Sequence, residues 1–290
     1  MRVLIVNPCA RPDPRGFSAW SSEVGCYVSS LHNGGHTPYV LTTPRYDEAE
    51  LRAAIQAHGP RIVVIFTRSR QADQARAIGA FFAINYKDIT VFFTGPHASA
   101  WPADVMNVAQ GVYAIRGYAG HLLSPLCDMI ARNGDFFSLS GLSFPVLNRF
   151  YHNPIEQPPE LSARPAPERL LTGYPQLVSG MLDSIGAEID TSRGDYNVSD
   201  RTQACFDMTA PTTGVVTPFH QRTVSQVLEE AASLRQSMPG LRFLGLRDEN
   251  CLAEPEWAKE LARAWKQHVG LPFWVCSRPE FLKESVFEAL

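Results

Sequence analysis

The chain has 290 residues, 45% hydrophobic and 19% charged, with a formal net charge of −3. That mix supports buried cores and argues against general disorder, and at about 100–200 residues per domain the length suggests two domains. There is no Lys/Arg run or basic stripe to suit a nucleic acid, and no apolar stretch reaches the ~18 residues of a membrane span.

In chain order, Arg2-Val-Leu-Ile-Val6 reads as a strand ending at Asn7-Pro8; it is too short to be a signal peptide. A helix follows from about Ser18 to Asn33 and stops at Gly34-Gly35. The pattern then alternates: strand His36–Leu41, helix Tyr46–His58, strand Arg61–Phe66, helix Gln71–Ile84, strand Ile89–Phe93, strand Gly111–Ile115, helix Leu122–Arg132. Short apolar strands alternating with helices predict an α/β domain over residues 1–150, a Rossmann-like, doubly wound parallel sheet. Ligands of such sheets sit outside the carboxyl ends of the strands. The expected contacts are therefore Asn7 and Pro8, then Thr67, Arg68, Ser69 and Arg70, the loop Gly95, Pro96, His97, Ala98 and Ser99, and finally Gly117 and Tyr118. No GxGxxG follows the first strand, where the sequence runs NPCARPDPRG, so a dinucleotide lacks its usual glycines.

Residues 151–185 carry Pro154, Pro158, Pro159, Pro165, Pro167 and Pro175 and read as a linker. Beyond it, strand Gly186–Asp190, a long polar loop, helix Val224–Arg235, strand Arg242–Leu246, helix Glu256–His268, strand Pro272–Cys276 and a helix from Pro279 to Leu290 predict a partial βα barrel over 186–290. A closed barrel needs more units than these. The six cysteines (Cys9, Cys26, Cys127, Cys205, Cys251 and Cys276) show no CxxC spacing. They read as free thiols of a cytoplasmic protein, with no metal site.

Several segments together carry a resemblance: R-V-L-I-V-N-P at 2–8, G-G-H-T at 34–37, T-G-P-H-A-S-A at 94–100, A-I-R-G at 114–117, G-L-S-F at 141–144, D-T-S-R-G at 190–194, Q-R-T-V-S-Q-V-L-E-E at 221–230 and R-D-E-N at 247–250. In this order they resemble the cobalamin-dependent radical-SAM methyltransferases, a cobalamin-binding domain followed by a catalytic βα domain. The resemblance implies cobalamin lying across the strand ends of the first domain. It also implies a CxxxCxxC iron–sulfur motif after TSRG; here Asp195 stands where the first cysteine would be, with Val198 near the second and Arg201 near the third. Cluster irons need thiolate ligands, and Cys205 alone cannot replace three. No iron–sulfur cluster is therefore expected, and use of S-adenosylmethionine is doubtful.

In this setting Arg68 or Arg70 faces the corrin underside, or is simply solvated. A guanidinium stays protonated and does not ligate cobalt. His97 touches the corrin or its tail, or bonds to backbone. Asp195, Asp248 and Glu249 are candidates for acid–base chemistry on a small-molecule substrate; the alternative is that they cap helices or pair with Arg193 and Arg247. Three functions stay open: an enzyme of cobalamin-dependent, non-radical methyl transfer; a non-catalytic cobalamin-binding subunit of a partner or homo-oligomer; and a corrin-free nucleotide-binding protein.

Overall fold

The computed structural model describes residues 1–9, 21–147, 149–156, 164–169, 177–178, 185–193, 219–248 and 250–290. The first half is built on β1 (Arg2–Pro8), α1 (Ser22–Asn33), β2 (Thr37–Thr43), α2 (Glu48–His58), β3 (Ile62–Phe66), α3 (Ala72–Asn85), β4 (Thr90–Thr94), α4 (Gly95–Ala100), α5 (Pro102–Met106), β5 (Val112–Ile115), α6 (Leu123–Ala131), β6 (Leu142–Val146) and β7 (Arg149–His152). Local chemistry sets the ends. The Asp47 carboxylate accepts from the Ala49 and Glu50 amides at the start of α2, and Gly59 closes that helix in the left-handed conformation at φ +50°.

The strands form one sheet in the order β2-β1-β3-β4-β5-β6-β7. β1 to β5 pair in parallel, in register Val3↔Ile62 through Val6↔Ile65 across the β1–β3 boundary. Alternation along the strands serves two cores. Val3, Ile5, Ile62, Val64 and Phe92 pack against α1 and α6, while Leu4, Val6, Val63, Ile65, Val91 and Phe93 pack against α2, α3 and α5. Helices thus cover both faces, as the apolar runs predict. Two features depart from the sequence expectation. β6 and β7 add an antiparallel hairpin at the β5 edge, and Gly95–Ala100, expected as a loop, is a short helix because Pro96 suits a helical first turn.

The second half holds β8 (Leu177–Val178), β9 (Ile185–Ile189), β10 (Ser192–Arg193), β11 (His220–Gln221), α7 (Val224–Ser237), β12 (Leu241–Leu246), α8 (Pro255–His268), β13 (Phe273–Val275) and α9 (Glu284–Phe287). Its main sheet runs β13-β12-β9-β8, with β9, β12 and β13 parallel and β8 antiparallel. Ala187, Ile189, Leu244 and Leu246 bury one face under α7 and α8. On the other face the Phe243 and Trp274 rings lie so close over Gly186 and Gly245 that a Cβ there would meet them at 2.1 and 2.2 Å. The helix expected from Pro279 to Leu290 is instead a 3-10 turn, Pro279–Phe281, followed by the one-turn α9.

The stretch expected as a linker is in part packed. Glu168 N donates to Gly25 O at 3.1 Å, and Ser29 Oγ to Ala166 O at 2.6 Å, which straps residues 164–169 along α1. Among the described residues no helix is long and apolar enough to cross a membrane.

Candidate functional site

Strand order reverses at β1, with β2 on one side and β3 on the other. The helices that follow β1 and β3, α1 and α3, pack on opposite faces of the sheet, the arrangement that opens a crevice at the strands' carboxyl ends. Asn7, Pro8 and Thr67 lie buried at its base. Thr67 N donates to Thr94 O at 2.8 Å, and Thr67 O accepts from His97 N at 3.0 Å. Gly95 has φ +90°, and a Cβ there would come within 2.9 Å of the Phe66 ring and of Thr67 O, so only glycine passes the chain so close to β3. Ser99 Oγ donates to Gly95 O at 2.9 Å and accepts from Gly117 N at 3.0 Å, tying the β4 and β5 tips. Ala98 is fully buried, whereas Pro96 is exposed. Thr67, Gly95, Ser99 and Gly117 therefore build the floor of the crevice.

Above the floor, the Arg68 guanidinium lies over the Phe66 ring, 4.7 Å from its centroid. Burial pushes its pKa down; Glu23 opposes this, and Arg247 of the second half adds to it. Arg70 and Ser69 are exposed, and Ser69 Oγ sits 3.2 Å from His97 Nδ1. His97 Nε2 meets Asp104 Oδ2 at 3.0 Å. Tyr118 lies under the Arg164 guanidinium at 4.2 Å and beside the stacked His121 ring; burial pushes its phenol far up.

The second half meets this crevice with its own strand ends. Arg247, just past β12, donates to Ser22 Oγ at 3.1 Å on α1, to Glu188 Oε2 at 3.4 Å and to Asp190 Oδ1 at 3.3 Å. Asp248 is placed beside it, and its carboxylate accepts from Thr191 N at 2.6 Å, Thr191 Oγ1 at 2.8 Å and Ser192 Oγ. It thereby ties the β9 and β12 ends together and pairs with neither Arg247 nor a helix end in these contacts. Asp195, Glu249, Val198, Arg201 and Cys205 lie outside the described residues. Among the described residues no group of His, Cys, Asp and Glu could hold a metal ion.

The sequence reading missed a second polar group between the halves. Glu230, buried on α7, accepts from both Arg169 and Arg222. These residues line a cavity of about 380 Å³ with Cys26, Tyr118 and Arg164. The signal was present, since Glu230 falls on the apolar stripe of Val227, Ala231 and Leu234, and a charge on such a stripe needs a buried partner.

Fold and site together define an α/β protein whose second βα unit is tied to the first through Arg247 and Arg169. No protein-family model matches the chain, and no curated protein matches it. Solved structures share its fold. One is the radical S-adenosylmethionine methyltransferase TsrM from Kitasatospora setae, with cobalamin and a 4Fe–4S cluster bound: TM-score 0.73, 18% identity, covering 100% of this chain and 58% of TsrM. A second TsrM structure, with tryptophan substrate and a SAM analogue, gives TM-score 0.71 at 16% identity, covering 100% of this chain and 56% of that one. The cobalamin-dependent S-adenosylmethionine radical enzyme OxsB, with aqua-cobalamin bound, gives 0.74 at 15%, covering 99% of this chain and 41% of OxsB. The chain thus spans little more than half of one protein and about two fifths of the other.

Proposed function

We propose that the chain binds cobalamin in the strand-end crevice of residues 1–150, with residues 186–290 as a second domain closing over it, and that it serves methyl transfer without a reductive iron–sulfur step. One observation carries the reading. The whole chain follows the fold of cobalamin-bound structures.

When bound, the corrin supplies methyl-carrying cobalt chemistry. The chain's residues bind and shape. Arg68, whose guanidinium lies over the Phe66 ring just past β3, would help to hold the corrin by contact and hydrogen bonding and could not itself ligate a metal, because it stays protonated. Both ring nitrogens of His97 are engaged, by Ser69 and Asp104, so His97 braces the crevice wall. Asp195 and Glu249 are the groups proposed to orient or deprotonate a small substrate, with Asp248 holding the strand ends that carry them. Asp195 stands in place of the first motif cysteine, with Val198 and Arg201 near the places of the other two, so S-adenosylmethionine cleavage is left out of the reading.

A second reading, a non-catalytic cobalamin-carrying subunit, is favoured by the outer edge of the second sheet. Among the described residues no strand pairs with the outer side of β13, and Leu282 and Phe287, 51% and 72% exposed, add apolar surface that a partner chain would cover.

Titration with hydroxocobalamin, then desalting and cobalt and iron analysis, tests the proposal. The expected result is about one cobalt per chain, a shifted corrin spectrum and no iron, with retention lowered at least several-fold in Arg68→Ala. A folded protein that retains no cobalt overturns cobalamin binding and leaves the corrin-free reading. Activity and native mass with and without added proteins separate the enzyme from the subunit.

A further inference from the structure

At one edge of the crevice a serine, a histidine and an aspartate stand in line. Ser69 follows β3, His97 lies on α4 and Asp104 on α5. Ser69 Oγ is 3.2 Å from His97 Nδ1, and His97 Nε2 is 3.0 Å from Asp104 Oδ2. The other Asp104 oxygen is ion-paired with Arg76, which also pairs with Asp73. Burial alone would raise the Asp104 carboxyl, but the hydrogen bond from His97 and the Arg76 charge outweigh it and hold the group below the usual carboxylate range. An ionised Asp104 fixes the tautomer: Nε2 carries the proton and donates to Asp104, so Nδ1 presents its lone pair to the Ser69 hydroxyl. The backbone that carries the ring is anchored as well, because the His97 amide N donates to Thr67 O at 3.0 Å. Relative to the familiar serine–histidine–aspartate order the two ring nitrogens exchange places. The proton path is the same, since it needs one nitrogen on the hydroxyl and the other on the carboxylate. Ser69 is exposed. An open groove of about 370 Å³, lined by Ala72, Asp73, Arg76, Trp101 and Asp104, reaches the same imidazole but does not include Ser69.

We propose that Ser69 is a nucleophile, activated by His97 with Asp104 as its orienting partner, that takes an acyl group from small activated esters. In the first step Ser69 Oγ forms a bond to the carbonyl carbon, its proton passes to His97 Nδ1, and the ester C–O bond breaks. The leaving alcohol departs with that bond pair and takes the proton. In the second step water, deprotonated by the same nitrogen, attacks the acyl-serine; the acid is released and the hydroxyl restored. The inference is independent of cobalamin.

The probe is p-nitrophenyl acetate on the full chain, read by release of p-nitrophenol and by peptide mass analysis of the trapped acetyl group. The expected result is acetylation at Ser69, absent in Ser69→Ala, with rates reduced about 10²-fold or more in His97→Gln, the size of a lost general base. Asp104→Asn keeps the side-chain shape and is expected to slow acylation while the variant stays folded by circular dichroism. Folded Ser69→Ala reacting as fast as the parent overturns the proposal, as does acetyl found only on other residues, or a folded Asp104→Asn with undiminished rate. Parallel cobalt analysis keeps the two readings apart. Cobalt retained without Ser69 acylation sinks the nucleophile alone, and Ser69 acylation without cobalt retention sinks corrin binding alone.

Discussion

At the scale of residues, the crevice is made by a few side chains and one backbone conformation. Gly95 holds φ +90° where a Cβ would strike Phe66 and the Thr67 carbonyl. Gly95→Ala is expected to lose about 1–3 kcal/mol of unfolding free energy, the range for a strained backbone position with a steric clash, measured by urea denaturation. Because Thr67 O also receives the His97 amide, the same variant should weaken hydroxocobalamin retention if the corrin lies on this floor. Position along the chain announces Gly95 and Arg68, since both sit just past apolar strands. It does not announce that Ser69, His97 and Asp104 meet: those residues come from three separate elements, and only the β3–β4 pairing and the turn of α4 into α5 bring them together.

At the scale of elements, most of the helices and parallel strands follow from capping and periodicity. α7 begins with a capping box, in which the Thr223 hydroxyl accepts from Gln226 N at 3.3 Å and the Gln226 side chain accepts from Thr223 N at 3.1 Å. Thr223→Ala is expected to cost about 1 kcal/mol, seen as a lower denaturation midpoint with little change in the dependence on denaturant. The hairpin β6–β7 escapes the same reasoning because Pro145 sits inside Leu142–Val146 and argues against a strand. The sheet accommodates it by geometry. The ladder from β5 to β6 pairs only Ala114 with Ser143 and Ile115 with Leu142, so Pro145 lies past the end of that ladder and its missing N–H is not needed there. The tail after Pro279 fails as one helix for the opposite reason: Phe281 and Val286 bury, but Leu282 and Phe287 point outward, so no continuous apolar stripe supports it.

At the scale of the whole molecule, the two halves are joined through charge. Arg247 spans from Ser22 on α1 to Glu188 and Asp190, and Arg169 reaches from the strap on α1 to Glu188 O at 2.8 Å and to Glu230. Burial raises the Glu188 carboxyl above its ordinary value, and Asp190 adds to this, while Arg247 and Arg169 oppose it. A carboxyl raised on folding stabilises the fold fully below its unfolded pKa, and that contribution is lost as pH rises through the folded value. Glu188→Gln removes the titration, so its stability relative to the parent is expected to climb as pH is raised from below 4.5 toward neutrality. Denaturation midpoints of both proteins across that window check the sign; a constant difference would remove Glu188 as a source of pH dependence.

What the sequence determined by itself is the sheet with helices on both faces, the five apolar parallel strands and the first two of the later βα units. Those features are local: apolar runs, helix stops and the side-chain periods of strand and helix are written along the chain. Only the tertiary structure decided the strand order with its reversal at β1, the antiparallel hairpin, the strap of residues 164–169 on α1, the commitment of Asp248 to Thr191 and Ser192, and the meeting of Ser69, His97 and Asp104. Each of these pairs groups far apart in sequence, and such pairing is chosen by the packing of two cores and by the need of buried charges for partners. No local pattern encodes either.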